Sequence, residues 1–179
     1  MINYIALGMV LDKELTGYDI KKEIEAGIGN FFKASYGNLY PALKKLAGRG
    51  HVAMTEVKQG NKLKKCYRAT ELGRTEFLQW LSTPANSIDE TQFAKIYFYG
   101  ELSKEVRDNL LQEFEFHIRQ ALRPLQAIEK QYANKVLDDR TYFELSTLYQ
   151  GIHSAQTLIR WLEHIREQKP LSEFLIESK

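Results

Sequence analysis

Residues Ser35–Val52 read SYGNLYPALKKLAGRGHV. Leu39, Leu43 and Leu46 recur at helical spacing, and glycines at 48 and 50 close the pattern, so a short helix is expected to end near Ala47. With those leucines turned inward at about 100° per residue, Asn38, Pro41, Lys44 and Lys45 face outward. Tyr36 and Tyr40 fall on one flank. Pro41 is the anomaly, because a proline gives no N–H to a helix. Two starts accommodate it. If Asn38 is the N-cap, Pro41 lies in the first turn, where the N–H groups have no partner anyway. If Ser35 is the cap, the Gly37 carbonyl loses its partner and the helix bends there, with the bare Gly37 easing the crowding. Either start is polar and carries the positive end of the helix dipole, which suits an anion.

The flanking sequence extends the pattern. Ile2–Leu11 is apolar and reads as a first helix. Thr16 can cap a second, Gly17–Glu25, with Tyr18, Ile20 and Ile24 as its apolar contacts and glycines at 27 and 29 after it. Beyond the quoted stretch the period changes to alternation. Val52 and Met54 share one face, and Ala53, Thr55 and Val57 the other. Gln59-Gly60-Asn61-Lys62 reads as a turn, and Lys64–Thr70 returns as a second strand. Thr70 then caps a helix, Glu71–Ser82, with Leu72, Phe77, Leu78 and Leu81 inward. Three helices, a basic-tipped hairpin and a helix are the parts of a winged helix-turn-helix, with the third helix for recognition and the hairpin as the wing.

Ser82–Asp89 (STPANSID) is the expected junction. The division is then residues 1–82 as a winged helix-turn-helix domain, 83–89 as a linker and 90–179 as a helical domain. Within the last, Glu90–Tyr99 reads as a short aromatic helix. Ser103 caps a long helix from Lys104 to about Ala133, with a kink expected at Pro124, and a final helix runs from about Asp139 to Gln168. Leu145, Leu148, Ile152, Ala155, Ile159 and Leu162 are spaced alternately by three and four, as in a coiled-coil seam. The seam can serve packing within the chain or against a second copy, and a dimerisation domain is expected. The fold class expected is mainly α with a small β-hairpin: an N-terminal winged helix-turn-helix and a C-terminal all-helical dimerisation domain.

Charge divides along the same line. The net charge of +2 hides +5 over residues 1–82 and −3 over 83–179. Between Lys33 and Arg68 nine cations face one acid, Glu56. That local excess is the footprint of a polyanion-binding surface or, more blandly, of a solvated face. Asn38 can read a base edge, Tyr40 and Pro41 can touch a thymine methyl, and Lys44 and Lys45 can reach phosphate or guanine. The one cysteine, Cys66, excludes an intramolecular disulfide and a CxxC site. Its basic neighbours would suit a redox sensor, but a small core or half-buried strand residue is the reading preferred. The N-terminus lacks a basic region before its apolar run, and that run is too short to span a bilayer, so a cytoplasmic protein is expected. His51, His117, His153 and His164 show no HxxxH or HExxH spacing, and Glu113 and Glu115 lie on different helix faces. No GxSxG or phosphate-binding glycine loop occurs. Neither an enzyme, a metal nor a cofactor is expected. Phe93, Tyr97, Phe98, Tyr149 and Trp161 offer either core or the lining of a small-molecule site.

The blocks TGYDI, YGNLYPALKKLAGRGHV and YRATELGRTEF, in this order across residues 1–82, resemble those of PadR-type transcriptional regulators. In that family a G-Y pair opens helix two, G-x-L-Y-P-x-L-x-x-L forms the recognition helix and Y-x-x-T-x-x-G closes the wing. The C-terminal half resembles, by length and pattern, the subfamily that includes the virulence activator AphA. Ala47 and His51 depart from the family pattern, which often has an acid and a large apolar residue there. The resemblance implies a homodimer whose recognition helices enter the major grooves of double-stranded operator DNA and whose wings follow the backbone. It carries over Tyr36, Asn38, Tyr40 and Lys44 as recognition contacts and Lys62 and Lys64 as wing contacts. Lys33, Ser35, Lys45 and Lys65 join them on the charge pattern. The function expected is a regulator, a repressor on a palindromic operator released by a small hydrophobic or phenolic effector. The alternative is a winged helix that binds protein and has no DNA target of its own.

Overall fold

The computed structural model describes residues 1–59, 62–84, 88–133 and 135–177. The expected turn at Gly60-Asn61 and the middle of the expected linker, residues 85–87, lie outside them. The chain forms two compact units, Met1–Thr83 with Asp89–Ser103, and Pro84–Ile88 with the chain from Lys104 onward.

The first unit contains α1 (Ile2–Met9), β1 (Leu15–Thr16), α2 (Gly17–Gly27), α3 (Tyr36–Gly48), β2 (Val52–Gln59), β3 (Lys62–Ala69), α4 (Glu71–Leu81) and α5 (Glu90–Tyr97), followed by a 3-10 turn at Tyr99–Glu101. The helices start where side chains satisfy the free N–H groups. Thr16 accepts from the Asp19 N–H, and Thr70 from the Gly73 N–H at 3.1 Å. Helix α1 packs on α2, α3 and α4. Ile5, Leu7, Ile20, Ile24, Leu39, Leu43, Phe77 and Leu81 are fully excluded from solvent there. Burial of each such side chain is worth about 1.5–3 kcal/mol, so this shared core fixes the angle at which α3 stands. Leu72, expected inward, is 57% exposed, because α4 turns Phe77 and Leu81 to the core and leaves the opposite face to water.

The hairpin is a three-stranded antiparallel sheet in the order β1-β3-β2. Val52 pairs with Ala69, Thr55 with Cys66 and Gln59 with Lys62. The unforeseen strand β1 sets Leu15 against Tyr67 and Thr16 against Cys66. Among the described residues of the hairpin, Val52 and Tyr67 towards its base are buried at 3% and 6% exposure, while Met54 and Val57 are 45% and 46% exposed. The distal strands project as a wing.

Helix α5 departs from the expected division. Its segment belongs to the first unit, where Phe98 meets Phe77 edge-on at 5.3 Å and Phe93 stacks on Phe31 at 4.7 Å. Lys95 is buried, lies over the Trp80 ring and donates to the Thr83 carbonyl and hydroxyl oxygens at 2.8 and 2.6 Å. Its burial holds the ammonium below the usual lysine range.

The second unit contains α6 (Lys104–Tyr132), α7 (Asp139–Arg166) and α8 (Leu171–Glu177). Helix α6 runs through Pro124 as one helix. Glu115 pairs with Arg166 at 3.0 Å and Arg119 with Glu163 at 2.7 Å, so α6 and α7 run antiparallel. The coiled-coil-like seam is spent inside this hairpin. Leu145, Ile152, Ile159 and Leu162 are buried and Leu148 and Ala155 half-buried, where α6 supplies Leu110, Leu111, Phe114, Ile118 and Leu122. Helix α8, unforeseen, is tied back by buried His164, whose Nε2 lies 2.9 Å from the Pro170 carbonyl and whose ring meets Phe174. A carbonyl only accepts, so Nε2 carries the proton. Among the described residues no helix is long and apolar enough to cross a membrane, and no cluster of three His, Cys, Asp or Glu could hold a metal ion.

Candidate nucleic-acid interface

The start of α3 settles the proline question. Ser35 is the N-cap: its hydroxyl accepts from the Asn38 N–H at 3.3 Å, and Asn38 Oδ1 accepts from the Ser35 N–H at 2.9 Å. This reciprocal box satisfies two otherwise free donors. Pro41 is therefore inside the helix, and the Gly37 carbonyl receives no N–H from it. The box also engages Asn38. Bidentate reading of adenine needs both the amide oxygen and the amide nitrogen, and here the oxygen faces the cap. What Asn38 offers outward is its N–H donors.

Leu39, Ala42, Leu43 and Leu46 bury one side of α3. Tyr36, Asn38, Tyr40, Pro41, Lys44 and Lys45 stand exposed on the other, and Lys33 and Ser35 are exposed on its approach. Tyr36 and Tyr40 stack with ring centroids 5.9 Å apart, and Lys21 Nζ lies 5.0 Å over the Tyr36 ring. Lys21 is also bonded to Glu25, which raises its pKa and keeps it charged.

Between α3 and the wing runs an open groove of about 1050 Å³. Of the residues singled out from sequence, Tyr40, Lys44, Lys64 and Lys65 line it together. Lys33, Ser35, Tyr36, Asn38 and Lys45 lie outside it on the outward side of α3 and its approach, and the Lys62 side chain lies outside the described residues. Thr16, Gly17 and Tyr18 form another stretch of the wall, with Met54, Leu63 and Tyr67 supplying apolar surface. These were missed from sequence, although the TGYDI block contained three of them. Among the described residues no acidic one lines the groove. Its chemistry is an apolar, aromatic bed with a lysine rim, which suits a strand that alternates apolar sugar and base edges with phosphate.

The other candidates are dispersed. Cys66 is half-buried at the centre of the sheet, in register with Thr16 and Thr55. Phe98 is consumed by core packing, Phe93 by Phe31, and the Tyr97 ring lies against Gly27. Tyr149 lines a separate depression of about 390 Å³ on the helical hairpin with Leu137, Tyr142 and Leu145.

Residues 6–79 match the model of the transcriptional regulator PadR-like family, and residues 90–168 match that of the virulence activator alpha C-terminal region. Over 175 residues the chain is 31% identical to the negative transcriptional regulator PadR of Bacillus subtilis, which spans 92% of this chain and 95% of that relative. A crystal structure of Bacillus subtilis PadR in complex with operator DNA matches at 29% identity and a TM-score of 0.44, covering 92% of this chain and 97% of that one. Another, of PadR in complex with p-coumaric acid, matches at 25% identity and a TM-score of 0.41, over 93% and 96% of the two chains. Sequence kinship over nearly the whole length, together with a winged helix built on the motif residues, leads to one conclusion: the chain belongs to the PadR-like family of transcriptional regulators and is not an enzyme.

Proposed function

We propose that this protein is a dimeric, sequence-specific DNA-binding repressor that acts in the cytoplasm on a palindromic operator and is released by a small hydrophobic or phenolic effector. One observation carries the DNA reading: Tyr40 and Lys44 of α3 and Lys64 and Lys65 of the wing share a groove lined, among the described residues, by no acidic one. Helix α3 then enters the major groove, with Tyr36, Asn38, Tyr40 and Lys44 towards base edges and Lys33, Ser35 and Lys45 towards phosphate. The wing, through Lys62, Lys64 and Lys65, follows the backbone.

Dimerisation rests on the second unit. Its seam is already covered, so the surface for a second copy is the outer face of α7 near its start, where the adjacent Tyr142 and Phe143 are 61% and 70% exposed. The effector reading rests on kinship with the Bacillus relative whose complex with p-coumaric acid is solved. A nearly apolar depression of about 250 Å³ between α6 and α7, lined by Ile118, Leu122, Leu125, Gly151 and Leu158 among others, has room for a phenolic ring.

The test is fluorescence anisotropy with a duplex from upstream of the protein's own gene, a scrambled duplex and a salt series. Selective binding that weakens steeply with salt, and that is lost on Tyr40→Ala with Lys44→Ala, is expected. Failure to enrich any duplex in a random-sequence selection would sink the DNA reading and leave a protein-binding winged helix.

A further inference from the structure

We propose that Gly17 is a positioning residue for recognition: its bare Cα is the seat of the Tyr40 ring, and the first turns of α2 thereby set the aromatic pair that α3 presents to DNA. This rests on the DNA-binding reading above. A Cβ at Gly17 would lie 2.8 Å from Tyr40 Cε1, 3.0 Å from Cζ and 3.1 Å from the hydroxyl oxygen. No real side chain tolerates the first of these, so the ring occupies space that only glycine leaves open.

The backbone conformation does not call for glycine at this position. The backbone is helical there and Gly50 is the glycine with positive φ among the described residues, so no left-handed conformation is at stake. At a helix start alanine is as well suited as glycine or better. Nor is the helix start free to slide. Thr16 accepts from the Asp19 N–H at 3.2 Å and donates to its carboxylate at 2.6 Å, while β1 pins Thr16 against Cys66.

What would yield is the tyrosine. At Gly73 an added Cβ meets the His51 carbonyl oxygen at 2.0 Å, and at Gly29 that of Glu25 at 2.3 Å, both of them backbone. At Gly17 it meets the far edge of a ring on two rotatable bonds. Restoring contact to about 3.6 Å asks the ring to move by about 1 Å, with no demand on the backbone. The opposite end of the pair is held from the same helix. Tyr36 stacks on Tyr40, and Lys21, one turn after Gly17, lies over Tyr36. Positions 17 and 21 of α2 thus bracket positions 36 and 40 of α3. Because Tyr40 forms part of the wall facing Lys64 and Lys65, its position sets the width of the groove.

The experiment is a double-substitution cycle, read by anisotropy on the duplex that the wild type enriches from random sequence, with thermal unfolding in parallel. Gly17→Ala is expected to weaken binding about tenfold while its melting temperature stays at or above that of the wild type. In a Tyr40→Ala background the same change is expected to cost less than twofold. Equal losses in both backgrounds, or no loss in the wild type, would overturn the proposal and leave the DNA reading standing. So would a fall in melting temperature for Gly17→Ala, since the backbone would then have yielded instead of the ring. A wild type that enriches no duplex would instead remove the DNA reading, and this inference with it.

Discussion

Gly73→Ala should be among the most damaging single-methyl additions to this chain. The new Cβ would stand 2.0 Å from the His51 carbonyl oxygen, 2.9 Å from its carbon and 3.1 Å from Leu7 Cδ1. A carbon can approach an oxygen to about 3.3 Å, so α4 must retreat by about 1.3 Å at this point. The His51 carbonyl also accepts from the Thr70 N–H at 3.0 Å, and Thr70 donates its hydroxyl to the Gly50 carbonyl at 2.7 Å. Retreat strains both bonds, each worth about 1 kcal/mol, and lifts Phe77 and Leu81 off a core that excludes water. With about 1–3 kcal/mol for overpacking, the loss comes to about 3–5 kcal/mol, a fall in melting temperature of roughly 10 °C. Urea unfolding followed by circular dichroism reads it directly. Gly48→Ala is the internal control: nothing lies within 4 Å of a Cβ there, and the residue is helical with ordinary φ. It should stabilise by about 0.5 kcal/mol. A Gly73→Ala protein within about 0.5 kcal/mol of the wild type would refute the reasoning.

Other outcomes follow from the same contacts. Ser35→Ala removes the acceptor of the α3 capping box and should cost about 1 kcal/mol in urea unfolding. For Lys95, the folded pKa lies below the unfolded value, so in the window between them the unfolded chain binds more protons and stability rises with pH. The raised pKa values of Tyr4 and Tyr67 act oppositely above pH 10.0, so the quantity to follow is the wild type minus Lys95→Met, which should grow as pH climbs towards 10.5. A pH-independent difference would contradict this. Glu115→Gln breaks pairs to both Arg119 and Arg166 and should loosen the hairpin by about 1 kcal/mol, less at high salt.

Much of the architecture was legible because its signals are local. Three leucines decide which way α3 faces, and hence that Tyr36, Tyr40, Lys44 and Lys45 stand outside. Thr16 and Thr70 announce their helices, and alternation announces the wing. The parts that sequence did not disclose depend on partners far away along the chain. Strand β1 is two residues long, too short for any period, and exists because β3 offers an open edge. The wall of the groove at Thr16–Tyr18 is brought there by that pairing, so a block read as a helix start proves to line the candidate site as well. The choice between Ser35 and Asn38 as cap turned on a side-chain bond that either residue type can make. The seam of α7 carried a true signal with two possible partners, and α6 is the one that covers it in a single chain.

The membership of α5 also governs where this chain can be cut. The match to the C-terminal family region begins at residue 90, yet Asp89–Ser103 packs with the winged helix. A fragment ending at residue 82 would strip Phe98 from Phe77 and from the notch at Gly8, where a Cβ would lie 2.7 Å from the Phe98 ring. It would also take Phe93 from Phe31, Lys95 from the end of α4, and Glu101 from its ion pair with Arg74. The compact first unit therefore reaches Ser103, and recombining this head with the tail of a relative calls for a crossover after that residue, well beyond the proline-bearing stretch that looks like the natural joint.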